Sequence, residues 1–75
     1  MGVGTLHTKE YKELCDKLKE ARLKKALTQQ ELGDRLKKPQ SYIAKYERAE
    51  RRLDVIEFVH ICAALNVSTS EILDR

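Results

Sequence analysis

Residues 28–48 read Thr28-Gln29-Gln30-Glu31-Leu32-Gly33-Asp34-Arg35-Leu36-Lys37-Lys38-Pro39-Gln40-Ser41-Tyr42-Ile43-Ala44-Lys45-Tyr46-Glu47-Arg48. Thr28 with Glu31 three residues later is a capping box, in which each side chain satisfies a backbone N–H the helix start would leave open. Leu32, Gly33 and Leu36 then fall on one helical face. Lys37-Lys38-Pro39 ends that helix, because proline cannot continue a helix but is tolerated at the start of one. A second helix follows from about Gln40 to Arg48, with Ile43 and Tyr46 facing inward. Two short helices joined by a tight basic break form the centre of the chain.

The same punctuation organises what lies on either side. Upstream, Tyr11, Leu14, Leu18 and Ala21 recur at intervals of three and four, which predicts an amphipathic helix from Thr8, its N-cap, to about Lys25. Downstream, Ala49 to Leu53 reads as a loop, and Asp54 caps a helix running to about Leu65, with Asn66 as its stop. Ser68-Thr69-Ser70-Glu71 is a second capping box, opening a last short helix with Ile72 and Leu73. No stretch reads as a strand. The expectation is an all-α, compact five-helix bundle over residues 8–75, one domain, with residues 1–7 as a flexible N-terminal arm.

At 75 residues, with 36% charged and 41% apolar side chains, the chain has room for one thin core and none for a doubly wound nucleotide-binding fold or a barrel. No apolar run approaches the 18 or so residues of a membrane span, and the polar start lacks the apolar core of a signal peptide. Cys15 and Cys62 lie outside any C-x-x-C pattern, and His7 and His60 lie outside zinc-ligand spacing. No metal and no cofactor are expected. Asn66-Val67-Ser68 is a sequon only in a secreted chain, so it is read as a helix stop followed by a helix start. A cytoplasmic location is the default.

Two charges fall on apolar faces. Arg22 lies within the stripe of the first helix, and Glu47 lies beside Ile43 and Tyr46. Buried charges are costly unless paired. One ion pair joining the first helix to the third accounts for both; the alternative is that both sit at the rim and reach water.

Together these residues resemble the Cro and lambdoid-repressor type of helix-turn-helix domain, the XRE family. The resemblance rests on Leu18-x-x-x-Arg22, Leu27-Thr28-Gln29-x-x-Leu32-Gly33-x-x-Leu36, the run from Pro39 to Arg48, and Ala64-Leu65-Asn66-Val67-Ser68. It spans about residues 18–73. No single piece is specific; the ordered set is. It implies a lambda-repressor-like fold whose second helix lies across the DNA backbone while the third enters the major groove. It also implies an Arg22–Glu47 interhelical ion pair, and close crossing of the second and third helices at Gly33. The chain departs from the pattern at three positions: Lys37 and Ala49 stand where glycine is usual, and Gly33 stands where alanine is.

On this reading Gln40, Ser41, Ala44 and Lys45 face base edges. A carboxamide donates and accepts at once, which suits adenine N6 and N7, whereas Lys45 suits guanine O6/N7 and Ala44 a thymine methyl. Gln29, at the start of the second helix, suits a phosphate, and the resemblance implies that it also braces Gln40. Lys37, Lys38, Tyr42, Arg48, Arg51 and Arg52 are expected to contact the DNA backbone. For each cation the alternative is a solvated surface charge, and for Gln40 and Ser41 an ordinary helix start.

Charge along the chain agrees without any family knowledge. The formal net of +3 resolves into +2 over residues 1–36, +4 over 37–52 and −3 over 53–75. The fourth helix carries Val55, Phe58, Val59, Cys62 and Leu65 on its core face, and Ile56 and Ile61 widen the apolar arc. With Val67, Ile72 and Leu73 this is more apolar surface than one thin domain buries. The expectation is a homodimer using Ile56, Val59, Val67, Ile72 and Leu73, which sets two reading helices about one DNA turn, roughly 34 Å, apart; the alternative is a monomer with a generous core.

The function expected is sequence-specific binding of double-stranded DNA by a small transcriptional regulator, a repressor on a palindromic operator. Two rivals stand beside it: an antitoxin-type regulator that also binds a toxin protein, and a protein-interaction module that does not read DNA. No nucleophile–base pair or metal-ligand set points to an enzyme.

Overall fold

The computed structural model describes residues 8–74, so the expected N-terminal arm, residues 1–7, lies outside the described residues. Five helices follow in order: α1 (Lys9–Lys24), α2 (Gln29–Leu36), α3 (Gln40–Glu47), α4 (Val55–Leu65) and α5 (Thr69–Leu73). No strand occurs among the described residues, and no helix there is long and apolar enough to cross a membrane.

Each helix begins where a side chain can take up its first N–H groups, with one exception. Thr8 caps α1 by accepting from the Tyr11 N–H. Thr28/Glu31, Asp54/Glu57 and Ser68/Glu71 are reciprocal capping boxes at α2, α4 and α5. Bonds from the backbone N–H groups of Asp54 and Ser68 hold the Glu57 and Glu71 carboxyls below the usual carboxylate range. Only α3, preceded by Pro39, has no side-chain cap.

The ends of α1 to α4 share one geometry. Ala26, Lys37, Ala49 and Asn66 have φ of 57°, 58°, 60° and 58°, all left-handed. After each, the next N–H bonds back to a carbonyl five residues earlier: Leu27 to Arg22, Lys38 to Gly33, Glu50 to Lys45 and Val67 to Cys62. These are Schellman-type closures, usually built on glycine. Here none is glycine, and each non-glycine residue so held costs on the order of 1 kcal/mol, less for asparagine.

Leu18, Leu32, Ile43, Tyr46, Ile61 and Leu65 are fully buried and hold all of α1–α4 in one core, which Ile72 joins from α5. A satellite cluster of Tyr11, Cys15 and Ala49 packs the loop after α3 onto α1. Two sequence expectations are corrected. Cys15, which the stripe of Tyr11, Leu14, Leu18 and Ala21 leaves out, is completely buried, because the left-handed bend at Ala49 folds the chain over it. On α4 the core face is Phe58, Ile61, Cys62 and Leu65, whereas Val55 and Val59 are exposed. The apolar arc of α4 is too wide for its wheel to single out the inner face; packing against α1 and α2 selects it.

Tyr46 is the one side chain whose buried polar atom meets no hydrogen-bond partner among the described residues. Burial pushes its hydroxyl far above the ordinary tyrosine range, so it stays protonated. An unsatisfied buried hydroxyl costs about 1–3 kcal/mol. Tyr46→Phe removes that penalty and leaves a void smaller than a methyl group. The expected result is a stabilisation of about 1 kcal/mol in urea unfolding; a loss of that size would mean that the hydroxyl has a partner.

Candidate nucleic-acid interface

Helix α3 divides sharply into two faces. Tyr42, Ile43, Tyr46 and Glu47 are buried, whereas Gln40, Ser41, Lys45 and Arg48 are exposed and Ala44 is half-buried between them. The outward set leads from the helix start, where Pro39 offers no side-chain acceptor. The uncapped N-terminus therefore carries its partial positive charge on the surface, beside the residues expected to read bases.

Beneath that face lies the ion pair. Arg22 Nε donates to Glu47 Oε2 at 2.7 Å and Arg22 Nη2 to Glu47 Oε1 at 3.1 Å. The two residues are 6% and 7% exposed. Arg22 Nη1 also donates to the Leu27 carbonyl at 2.7 Å, tying the α1–α2 turn to the same guanidinium. The carboxylate has one further donor: Gln29 Nε2 lies 2.9 Å from Glu47 Oε1. Gln29 Oε1 in turn accepts from Gln40 Nε2 at 3.1 Å. Four side chains from α1, α2 and α3 thus run from the core to the first residue of the outward face.

The cations expected along the DNA backbone divide into two groups. Lys37 and Lys38 stand on the exposed surface, as does Lys45, the cation expected at base edges. Lys38, Lys45 and Arg51 border an open concavity of about 460 Å³ beside α3, lined also by Pro39, Ser41, Tyr42 and Glu50. Arg48 is paired with Glu50 at 3.0 Å, Arg51 forks onto the Glu57 carboxylate at 3.0 and 3.4 Å, and Arg52 lies over the Tyr11 ring. Tyr42, expected at the DNA backbone, has a buried ring packed edge-on against Tyr46 with centroids 5.9 Å apart. Lys38 Nζ and the Arg51 guanidinium lie 5.1 and 4.6 Å from that ring's centre. Tyr42 therefore acts as a platform that holds two cations beside the concavity.

Two positioning residues escaped the sequence reading. The Tyr11 hydroxyl donates to the Arg51 carbonyl at 2.6 Å and accepts from the Leu53 N–H at 3.0 Å. It thereby pins the loop after α3 from 40 residues away, a pairing no local pattern announces. Glu57 fixes Arg51, and here a signal existed: Asp54-x-x-Glu57 is a capping box in the sequence.

The residues expected at a dimer contact separate as well. Ile56, Val59 and Leu73 are 60%, 43% and 55% exposed and Val55 is 70% exposed. Ile72 is 5% exposed and belongs to the core, because α5 turns it toward α1. Val67 is half-buried against the same core. Among the described residues no group of three or more His, Cys, Asp or Glu side chains could hold a metal.

Two short helices meeting at a tight left-handed turn, the second with a polar, outward N-terminal face, define a helix-turn-helix protein. The chain belongs to the helix-turn-helix family, whose model matches residues 18–72. It is 47% identical to an XRE-family like protein from Pseudomonas syringae pv. tomato str. DC3000, over 85% of this chain and 78% of that one, with a TM-score of 0.80. It is 25% identical to the restriction-modification controller protein C.Esp1396I, solved as a tetramer with its natural 35-base-pair operator, over 91% and 90% of the two chains at a TM-score of 0.83. The clp gene regulator ClgR from Corynebacterium glutamicum, 23% identical over 88% and 85% of the two chains, shares the fold at a TM-score of 0.83. No curated protein sequence matches significantly. The last two of these solved structures are named as a controller protein and a gene regulator.

Proposed function

We propose that this protein is a transcriptional repressor that binds a palindromic operator as a homodimer, with α3 in the major groove. The observation that carries the reading is the outward face of α3, whose first side chain is braced from below through Gln29 and Glu47. A side chain held in one geometry reads a base edge; a loose one only touches it. Gln40, Ser41, Ala44 and Lys45 read bases. Lys37, Lys38 and Gln29 contact phosphates, and Arg48, Arg51 and Arg52 add to the positive field around them. The C.Esp1396I relative, solved on its operator, supports both DNA binding and assembly.

Dimerisation is assigned to the exposed apolar stripe of Val55, Ile56 and Val59 on α4, together with Leu73. Ile72 has no part in it, and Val67 at most borders it. Repression follows by occupancy, since the bound domain covers the operator.

Selection of bound duplexes from a random library tests the reading. The expected result is a two-fold-related pair of half-sites one helical turn apart, with affinity falling steeply as salt rises. Gln40→Ala should abolish the preference at one base pair in each half-site. Ile56→Asp should leave the monomer folded, shift sedimentation to the monomer and weaken operator binding at least tenfold. Failure to enrich any sequence would instead favour a module whose α4 stripe seats a toxin or another protein.

A further inference from the structure

We infer that Glu47 is a specificity-positioning residue: its buried carboxylate fixes, through Gln29, which way round the Gln40 carboxamide faces the DNA. This rests on the reading of Gln40 as a base-contacting side chain. The argument begins with what a carboxylate can do. An ionised Glu accepts hydrogen bonds and donates none, and both oxygens of Glu47 are held in place by Arg22. Whatever amide group lies against Oε1 must therefore present nitrogen. Gln29 does so, with Nε2 at 2.9 Å. Its oxygen consequently points the other way, toward α3. Gln40 must answer that oxygen with its own nitrogen, and Nε2 lies 3.1 Å from Gln29 Oε1. Turning the Gln29 amide over would set oxygen against oxygen at Glu47 and nitrogen against nitrogen at Gln40; turning the Gln40 amide over would set oxygen against oxygen at Gln29. One buried charge thus sets the polarity of two amides in series.

The consequence lies at the exposed end. One hydrogen of Gln40 Nε2 is held by Gln29. What remains for DNA is one N–H and Oε1, a donor beside an acceptor in a fixed order. Adenine offers the complement in the major groove, the N7 acceptor beside the N6 donor, whereas guanine offers two acceptors, N7 and O6. A free glutamine can turn both Nε2 hydrogens toward guanine. A glutamine whose second hydrogen is engaged cannot, and its oxygen would then oppose O6. The relay therefore selects adenine over guanine at the base pair that Gln40 reads, and sets on which side N7 lies. None of the relay side chains beyond Gln40 has to touch a base for this to hold.

The test compares binding of the full chain to duplexes that differ only at the base pair identified with Gln40→Ala. Gln29→Met keeps the length of the side chain and breaks the relay while leaving the Arg22–Glu47 pair in place. Glu47→Gln keeps the shape and removes the acceptor-only character. In both variants the ratio of adenine to guanine affinity at that pair should fall about tenfold, while preferences at the other positions stay as they were. A uniform loss across all sequences, from a lost phosphate contact or lowered stability, leaves that ratio unmoved and so would overturn the proposal. Thermal melts establish that each variant is folded at the binding temperature; should Glu47→Gln unfold, Arg22→Met combined with Glu47→Leu, which removes the carboxylate at similar volume, replaces it and must lower the same ratio. If Gln40→Ala removes the preference and Gln29→Met does not, the relay is refuted and Gln40 remains the reader. If Gln40→Ala alters no position, both fall together.

Discussion

Glu47→Ala is expected to lower the unfolding free energy by about 3–5 kcal/mol, the usual cost of leaving one partner of a buried ion pair alone. The domain has little to lose, because 75 residues support only roughly 4–11 kcal/mol in total. The Arg22 guanidinium, 6% exposed, would keep its bond to the Leu27 carbonyl but lose both carboxylate contacts. Gln29 would lose its acceptor as well. Urea unfolding at neutral pH measures the effect, as a midpoint shifted to lower urea. The pair is not worth that much against every alternative. Arg22→Met with Glu47→Leu removes both charges at similar volume and is expected to recover most of the loss. The recovered fold should nevertheless read its operator poorly, since the base of the amide relay is gone. Unchanged stability in Glu47→Ala would mean that the pair carries no net interaction.

The second large effect runs against helix propensity. Alanine in place of a mid-helix glycine ordinarily stabilises by up to about 1 kcal/mol, yet Gly33→Ala is expected to destabilise by about 1–3 kcal/mol. A Cβ at residue 33 would stand 2.6 Å from the Lys38 carbonyl oxygen, a backbone atom that cannot swing aside as a side chain can. The close approach that the resemblance implies at Gly33 is thus to the turn, whose Lys38 N–H also bonds the Gly33 carbonyl at 2.9 Å. Gly33 and Lys37 look like unrelated departures from the family pattern in the sequence; in the fold they face each other across one turn. Gly33→Ala combined with Lys37→Gly should lose less than Gly33→Ala alone, because a glycine at residue 37 lets the turn shift its carbonyl. Melting temperatures resolve this readily, at about 4–8 °C per kcal/mol for a domain of this size. A Gly33→Ala variant that melts higher than the parent would show that the turn yields freely.

These two cases mark what can and cannot be read from the chain. Local chemistry was legible: Thr28 with Glu31 and Ser68 with Glu71 announce helix starts, and two charges on apolar faces announce each other. Periodicity gave α1 its inner stripe. It failed on α4, where Val55, Ile56, Val59 and Ile61 are equally apolar and only the neighbouring helices decide that Ile61 goes in. Long-range pairings were also invisible, since Tyr11 meets Arg51 and Leu53 only once the chain has closed. At the interface, residue type and position nominated Gln40, Gln29 and Glu47 separately. That they touch in series follows from the packing of α2 on α3 above a shared core.

The left-handed bends at Ala26, Lys37, Ala49 and Asn66 bear on how such a regulator changes over generations. A new operator is acquired by altering side chains on α3, and most substitutions cost some stability. Three of the four bends are held by alanine or lysine, which strain there more than glycine would. Each is a position where a single glycine relieves roughly 1 kcal/mol, and contributions from well-separated sites add. Ala26 and Ala49 are given no contact with DNA, whereas Lys37 is proposed to lie on a phosphate. The fold therefore carries an unused margin of tolerance outside its reading face, which can absorb the destabilisation of retargeting before the domain ceases to fold.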